Sequence, residues 1–311
     1  MNNLINSHIQ IYHAQTLDEV VRFVLQLEAQ SPTSQFYFRG ENKNFGTSAF
    51  TPGIYRNKHL KREHIIYREM QRFNDHEFTT DKTAFDKLAR MQHYSCPTRM
   101  LDLSEDMFSG LFFALDGRKE GGEAVLYVVE LNEHRIKYYD SDAVSIIANL
   151  AKLPQERNDH AEPQEKSKQA LWQEALEYCD NREAYNANKS LPSKGFLLHD
   201  IKEEKSYFQD LIDPKDLFRI VAVKPKLTSQ RLQGQKGAFL LYGLNKEDPN
   251  KPISLITDNE QLNNDAQTHP VLSLTKIILS PKITKKNLKR IGITTPFIYP
   301  ELDKVSGYLK E

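Results

Sequence analysis

Residues 124–131 read AVLYVVEL and indicate a central β-strand, since seven of the eight side chains are apolar. A run of this length, bounded by turn residues, is typical of a strand that is covered on both faces. Gly121 and Gly122 supply the turn. Residues 106–115 precede it and are almost uniformly apolar, which predicts a helix buried on most sides.

Outward from these two elements, the chain mixes helices and strands without regular βαβ alternation. Apolar residues at helical spacing predict helices over 16–30, 61–78, 83–94 and 284–290. Strand patterns occur at 35–39, 218–223, 238–242 and 274–279. Pro97 restricts the residue before it, so 97–101 is predicted as a loop or short strand. The mixture favours an α+β fold with a mixed central sheet and surrounding helices.

Length and composition describe a globular chain that folds without covalent staples. Its 311 residues suffice for one large domain, and 42 basic side chains balance 42 acidic ones. The two cysteines suit a reducing compartment, and no apolar run approaches the roughly 20 residues of a membrane span. We predict one domain over 1–311, with residues 151–200 as a helical insertion or cap, in a cytoplasmic protein without a membrane partner.

The stretch QHYSCPTRMLDLS, residues 92–104, concentrates polar types beside a proline and between two apolar helices. Unpaired charges in such a place cost several kcal/mol, so His93, Arg99 and Asp102 require partners. One interpretation is structural, with an Arg99–Asp102 pair and a hydrogen-bonded His93 that hold the turn. The other is that these groups line a cleft. Sequence signatures of nucleotide-binding loops, hydrolases and metal sites are absent.

A second signal is the arginine in FYFRGE, residues 36–41. Arg39 ends an aromatic strand and precedes a glycine, a placement that presents a guanidinium fork to a phosphate or carboxylate. The alternative is a salt bridge at the strand end, with Glu41 or Glu69 as the partner.

Together these stretches resemble the FRG domain, a prokaryotic family named for its Phe-Arg-Gly tripeptide. Its further motifs are similar to PGIYR at 52–56, to Glu69 with Arg72-Phe73, to the block at 92–104 and to GLFFA at 110–114. Weaker similarity continues through Arg231, Gln235, Gly237 and Phe239, then 291–293 and 299–303.

Three positions depart from the family pattern. Ser95 replaces a glycine, which argues against a strong requirement for positive φ there. Leu103 replaces a tryptophan, which removes an aromatic platform. Asp106 replaces an asparagine and adds a negative charge near Asp102.

The resemblance implies a toxin-like intracellular effector associated with phage defence or toxin–antitoxin systems, with an outline similar to ADP-ribosyltransferases. In that case NAD is the substrate, no metal is needed, a macromolecule such as RNA accepts the ADP-ribose, and an antitoxin protein is a further partner. ADP-ribosyltransferases have a glutamate on a late strand, where this chain has Gln235. The resemblance therefore leaves Asp102, Glu69 and Glu41 as candidates for the catalytic carboxylate. A nuclease and a non-catalytic binding module stay as alternatives.

The predicted site follows from these roles. We assign catalysis to Asp102, Glu69 and His93, and NAD binding to Arg39, Tyr55, Tyr94, Thr98, Arg99 and Gln235. We expect Arg39, Tyr55, Glu69, His93, Arg99 and Asp102 to line one concave site.

Overall fold

The computed structural model describes residues 9–156, 166–180, 192–210, 212–227, 237–257, 261–263 and 268–310. The strands are β1 Gln10–Ala14, β2 Gln35–Glu41, β3 Met100–Ser104, β4 Ala124–Leu131, β5 Ile136–Tyr138, β6 Ile220–Lys224, β7 Gly237–Tyr242 and β8 Val271–Leu279. The helices are α1 Leu17–Gln30, α2 Glu63–Phe73, α3 Asp75–Phe78, α4 Ala84–His93, α5 Met107–Leu115, α6 Asp142–Asn149, α7 Lys168–Asp180, α8 Pro192–Glu204, α9 Lys285–Arg290, α10 Thr295–Ile298 and α11 Leu302–Tyr308.

All eight strands belong to one sheet in the order β1-β8-β4-β2-β3-β7-β6-β5. The outermost pairs, β1 with β8 and β5 with β6, are parallel, and the inner pairs are antiparallel. The predicted α+β class and mixed central sheet are therefore confirmed. AVLYVVEL forms β4, which lies between β8 and β2 and is buried along almost its whole length.

Helix α5 packs unusually close to β2 because glycines meet at the crossing. A Cβ atom on residue 40 would lie 2.0 Å from the carbonyl oxygen of Gly110 and 2.3 Å from the backbone nitrogen of Ala114. A Cβ atom on residue 110 would in turn lie 2.7 Å from the Cβ atom of Phe38. The glycine of the Phe-Arg-Gly tripeptide is thus a packing residue, since only a missing side chain permits this approach.

Strands β2 and β3 separate along their length. Both strands are fully described, and their ladder has the single pair Phe38↔Ser104. Continuation of that register would place Gly40 opposite Asp102, but no ladder pair forms there. Each strand keeps its other neighbour, β4 for β2 and β7 for β3, so the sheet stays continuous while a gap opens at its centre.

Several local predictions differ from the structure. The helix predicted over 61–78 is divided into α2 and α3 at Asn74, whose ψ of 45° leaves the helical range. Residues 100–104 form a full strand because they pair with β7. Strands β1 and β5 were not predicted, because neither shows a clear alternation of apolar and polar residues. Both pair in parallel with strands that are distant in the chain.

The stretch predicted as an insertion or cap, residues 151–200, contributes helices where it is described. Residues 150–152 form a short 3-10 turn, and α7 and most of α8 follow. Leu171, Ala175 and Leu197 pack into the same apolar cluster as α4 and α6. Residues 157–165 and 181–191 lie outside the described chain.

Within the described part of the chain, no helix has the length and apolar character needed to cross a bilayer.

Candidate functional site

The gap between β2 and β3 opens into a cleft of about 410 Å³, here called the β2–β3 cleft. This volume lies within the usual range for small-ligand pockets. Its lining combines charged and aromatic side chains from seven separate parts of the chain. The lining residues are Phe38, Arg39, Gly40, Glu41, Asn42, Phe45, Arg56, Ala89, Gln92, His93, Ser95, Asp102, Ser104, Phe113, Phe239 and Tyr299.

Arg39 bridges the two separated strands with its side chain. Its Nη1 donates to the backbone carbonyl oxygen of Asp102 at 3.1 Å, and its Nε donates to Glu41 Oε1 at 3.2 Å. The guanidinium carbon lies 6.0 Å from the centre of the Phe50 ring. The side chain is only 16% exposed. Arg39 therefore replaces a ladder contact with a guanidinium group at the cleft wall, and the salt bridge to Glu41 that was predicted as the alternative is present.

Glu41 is buried with one carboxylate oxygen unsatisfied. The residue is 4% exposed, and Oε2 has no hydrogen-bond partner among the described residues. Burial raises the pKa of this carboxyl group, while the positive charges of Arg39, Arg56 and Lys276 oppose that rise. A buried polar atom without a partner is costly and rare in native structures. Since Glu41 is among the lining residues of the cleft, this unsatisfied carboxylate belongs to the candidate site.

Asp102 is exposed and held by a relay of hydrogen bonds. Gln92 Nε2 donates to Asp102 Oδ2 at 2.7 Å, and the Thr98 hydroxyl donates to Gln92 Oε1 at 2.6 Å. Thr98 is itself buried and accepts from the backbone nitrogen of Met100. Thr98, predicted to contact NAD, therefore holds Gln92 in place by a hydrogen bond and is not among the residues that line the cleft.

His93 enters the cleft from the last turn of α4 and meets the C-terminal segment. Its Nε2 lies 3.4 Å from Glu301 Oε1, and Tyr299 lines the same cleft. The Tyr94 ring packs edge-on against His93, but its hydroxyl donates to Glu77 outside the cleft. The structure therefore adds residues near the C-terminus to the site.

The predicted Arg99–Asp102 pair is wrong. Arg99 is fully buried and binds Glu63 on α2, with Nε donating to Oε1 at 2.8 Å. Lys168 approaches the same carboxylate at 2.8 Å. Residues 99 and 102 lie on opposite sides of the start of β3, where Arg99 turns into the core and Asp102 toward solvent. Arg99 is thus a structural residue outside the cleft lining, not a contact for NAD.

Two further predicted residues lie away from the cleft. Tyr55 donates its hydroxyl to the carbonyl oxygen of Gly243 at 3.2 Å, and burial raises its pKa to about 12. Glu69 lies on the exposed face of α2, where Arg72 binds it through two nitrogens. Gln235 lies outside the described residues. The cleft therefore unites Arg39, His93 and Asp102 but excludes Tyr55, Glu69 and Arg99, so the six residues do not line one site.

Arg56 and Gln92 are cleft residues that the predicted set omitted, and Glu41 was kept open as a carboxylate candidate without being assigned to the site. For Glu41 a sequence signal existed, because strand periodicity places residues 39 and 41 on the same face. For Arg56 and Gln92 the signal was only their presence in the family-like motifs.

Ser95 adopts the backbone conformation that its sequence argued against. Its φ is 58°, in the left-handed region that favours glycine. The expectation that Ser95 signals a weak positive-φ requirement is therefore wrong. The turn is held by hydrogen bonds from the nitrogens of Ser95 and Cys96 to the carbonyl oxygens of Gln92 and Met91.

We expect Ser95→Gly to raise the free energy of unfolding by about 0.5–1 kcal/mol. The left-handed conformation costs a side chain about 1–2 kcal/mol, and the greater freedom of unfolded glycine offsets part of the gain. Urea denaturation measures the difference. Ser95→Ala, which keeps a Cβ atom, serves as control and should show no gain. Equal stability of the glycine and alanine variants would contradict the strain.

Asp106 and Leu103, the other two departures, have structural roles. The Asp106 carboxylate caps α5, accepting from the backbone nitrogen of Ser109 at 2.9 Å and from its hydroxyl at 2.6 Å. Leu103 is buried in an apolar cluster on the face of the sheet opposite α5. In the part of the chain that the structure describes, no group of three or more His, Cys, Asp or Glu residues is placed to hold a metal ion.

Comparison with known families assigns most of the cleft lining to a named domain. Residues 34–122 match the family model of the FRG domain. These residues form an FRG domain. The predicted resemblance is confirmed over β2, α2, α3, α4, β3 and α5, which supply most of the cleft lining. A comparison with curated proteins found no match, and a comparison with solved structures found none either.

The FRG domain does not build its sheet alone. Strands β4, β7 and β8 lie outside residues 34–122, yet β4 pairs with β2 along all seven residues and β7 pairs with β3 along all five. Phe239 and Tyr299, also outside the match, complete the cleft wall. The cleft is therefore a product of the FRG domain and the rest of the chain.

Proposed function

We propose that the chain transfers ADP-ribose from NAD to a macromolecular acceptor. The observation that carries this proposal is the buried Glu41 carboxylate in the cleft lining, which binds Arg39 through one oxygen and has no partner for the other among the described residues. This combination of a cation for phosphates and an unsatisfied acceptor for developing positive charge is what the reaction needs. The proposal includes a toxin-like role inside the cell, in phage defence or a toxin–antitoxin system, with RNA, DNA or protein as acceptor and an antitoxin as partner.

Guanidinium groups in the cleft lining suit the pyrophosphate of the substrate. Arg39 lines the cleft together with Arg56, which is exposed and stacks on Phe45 at 5.3 Å. The planar guanidinium group of Arg56 is suited to two parallel hydrogen bonds with phosphate oxygens, and Arg39, which already binds Glu41 and the Asp102 carbonyl, adds its positive charge. Phe113, Phe239 and Tyr299 give other parts of the cleft an aromatic surface suited to a flat ring.

The carboxylate chemistry follows from the bond that breaks. The bond between the ribose C1′ and the nicotinamide nitrogen breaks, and nicotinamide leaves as a neutral molecule with the electron pair. An anionic Glu41 stabilises the positive charge that then develops on the sugar. The acceptor atom bonds to C1′ and loses its proton, for which Asp102 and His93 are the nearby bases.

The ADP-ribosyltransferase-like fold is part of the same proposal. An arginine near the end of an early strand, at the margin of a split sheet, supports it. The late-strand glutamate of ADP-ribosyltransferases has no equivalent in β7, whose sequence is GAFLLY, and Gln235 lies outside the described residues. Glu41 therefore takes the carboxylate role here, from the arginine's own strand.

A nuclease is the second candidate, and His93 favours it. A histidine 3.4 Å from a carboxylate, in a cleft with an exposed aspartate and two arginines, is suited to acid–base cleavage of a phosphodiester. A binding module without catalysis would use the same groups to hold a ligand.

Incubation of the purified chain with NAD, with and without cellular RNA and protein, separates the candidates. Release of nicotinamide supports ADP-ribosyl transfer, and labelled NAD identifies the acceptor. Cleavage of RNA in the absence of NAD would replace the proposal with the nuclease. Neither reaction, with NAD bound at the cleft, would leave a binding module.

We expect Arg39→Lys and Glu41→Gln each to lower nicotinamide release by about 10²–10³-fold, the usual effect of removing one electrostatic contact from a transition state. Lysine keeps the charge of Arg39 but loses the fork, and glutamine keeps the shape of Glu41 but loses the negative charge. Initial rates at saturating NAD measure the loss.

Arg72→Lys and Glu69→Gln are the matched controls, because they make the same changes in an exposed ion pair on α2. These controls should keep wild-type rates. A Glu41→Gln protein that turns over NAD normally would remove Glu41 from the mechanism. A Glu69→Gln protein that loses activity would return that role to Glu69.

A further inference from the structure

A second cleft, of about 580 Å³, lies at the β5–β6 end of the sheet and shares no lining residue with the β2–β3 cleft. We call it the basic cleft, and its charged lining residues are Arg135, Lys137, Asp213, Lys215, Asp216, Arg219 and Lys246. It lies outside the FRG domain.

Positive charge exceeds negative charge in the basic cleft. Asp216 is neutralised by Arg219, whose Nη2 lies 2.6 Å from Oδ1. Asp213 accepts from the backbone nitrogen of Lys215. Lys137 faces Asp216 at longer range, and among the described residues neither it nor Lys215 nor Lys246 forms an ion pair. Three lysines and two arginines therefore face two aspartates in the lining, which leaves an excess of positive charge.

Arg219 also carries a buried donor without an acceptor. Its Nε has no hydrogen-bond partner among the described residues, although Asp216 occupies the other side of the guanidinium group. A buried N–H without a partner costs free energy that an acceptor in the cleft would recover. This donor and the lysines call for the same kind of ligand, an anion with several oxygens.

The walls of the basic cleft are rigidly held. The nitrogen of Gly243 donates to the carbonyl oxygen of Arg219 at 2.9 Å, and that of Leu244 donates to Leu217 at 2.7 Å. A Cβ atom on residue 243 would lie 2.2 Å from the Leu217 carbonyl oxygen, so glycine permits this close approach. The guanidinium group of Arg219 thus extends from a backbone held by the residues that follow β7, which reduces the cost of ordering it on binding.

We propose that the basic cleft binds a phosphate-bearing ligand. Phosphate offers multiple charges and oxygens to a mixed set of guanidinium forks and ammonium groups, whereas a single carboxylate would match only one of them. Two sources share this chemistry, a small polyphosphate and the backbone of a nucleic acid. The site is independent of NAD chemistry in the β2–β3 cleft.

The test uses the full chain and a triple variant, Lys137→Gln with Lys215→Gln and Lys246→Gln. The matched control carries Lys119→Gln, Lys202→Gln and Lys286→Gln, three exposed lysines outside both clefts. Calorimetric titration with tripolyphosphate and fluorescence anisotropy with a 12-nucleotide single-stranded RNA measure binding over a range of salt concentrations. Any binding in the β2–β3 cleft contributes equally to all three proteins.

We expect the triple variant to bind its ligand at least about tenfold more weakly at 0.1 M salt, and the control to bind as the wild type does. If RNA is the ligand, the slope of log affinity against log salt should fall by about 2, the value for three lost phosphate contacts on a single strand. A loss of affinity for tripolyphosphate alone would identify a small polyphosphate as the ligand. A larger loss of affinity for RNA would identify the nucleic-acid backbone as the ligand.

Equal binding by wild type and triple variant, or an equal loss in the control, would overturn the proposal. So would a wild-type chain that binds neither ligand. Nicotinamide release should be the same in all three proteins, so failure of the basic cleft and failure of the NAD reaction are separate results.

Discussion

Gly40→Ala should destabilise the protein by about 3 kcal/mol or more, at the upper end of the range for overpacked cores. The added Cβ atom would meet the Gly110 carbonyl oxygen at 2.0 Å and the Ala114 nitrogen at 2.3 Å, and both are backbone atoms of α5. Relief therefore requires the whole helix to move away from β2, because no flexible side chain can move aside instead. That movement would also disturb the apolar cluster formed by Phe38, Leu111 and Leu126.

Thermal unfolding measures this effect, with Gly307→Ala as the matched control. Gly307 lies in α11 with no atom close to an added Cβ and no left-handed backbone, so alanine should be neutral or slightly stabilising there. A Gly40→Ala protein with the wild-type midpoint would show that the separation between α5 and β2 adjusts freely. It would also remove the packing explanation for the glycine of the family tripeptide.

Glu63→Gln should cost about 3–5 kcal/mol, the usual result of removing one partner from a buried ion pair. Glu63 is 2% exposed and is the counter-charge for Arg99 and Lys168, both fully buried. Glutamine would leave two buried cations without a carboxylate. Arg99 also donates to the carbonyl oxygen of Tyr242 at 2.9 Å, so the substitution would also weaken the contact between Arg99 and β7.

Glu69→Gln is the control, since Glu69 lies on the same helix in an exposed pair with Arg72 and should change stability by about 0–1 kcal/mol. Chemical denaturation of the two variants compares buried and exposed pairs on one element. If Glu63→Gln is no more destabilising than Glu69→Gln, the buried cluster contributes no more than a surface pair.

The buried cluster of Glu63, Arg99 and Lys168 also makes the free energy of unfolding depend on pH in acid. Burial alone would raise the pKa of Glu63, but Arg99 and Lys168 outweigh it and lower the pKa to about 2. Because the unfolded carboxyl titrates near 4.5, this contribution to stability is complete above pH 4.5 and is lost as the pH falls toward 2. In Glu63→Gln that part of the acid destabilisation should be missing, which unfolding measurements between pH 5 and pH 2.5 can detect.

The cluster also ties the middle of the chain to the FRG domain. Lys168 opens α7, which lies in the stretch predicted as an insertion or cap, while Glu63 and Arg99 belong to the matched domain. Burial lowers the pKa of Lys168 to about 8, with Glu63 opposing that change. Helix α7 is therefore joined to the domain core by the ion pair between Lys168 and Glu63, and also by the apolar packing of Leu171 and Ala175.

Local patterns in the sequence were sufficient for most elements and for the domain family. AVLYVVEL predicted a central strand because a short, continuously apolar run has few other solutions. Arg39 was predicted at a site because its strand-end position and following glycine can be read without tertiary information. His93 and Asp102 were predicted for a similar reason, since their polar types lie between apolar elements.

Tertiary structure alone decided which charges meet. Arg99 has Asp102 three residues away, yet its partner is Glu63, because the first residue of α2 brings that carboxylate into the core beside Arg99. Glu69, only six residues later, points to solvent because it lies on the other side of the same helix. The cleft exists because β2 and β3 separate after one ladder pair, and this separation leaves Glu41 buried with a free oxygen. A sequence encodes periodicity and local conformation directly, but the partner of a buried charge depends on how distant elements pack.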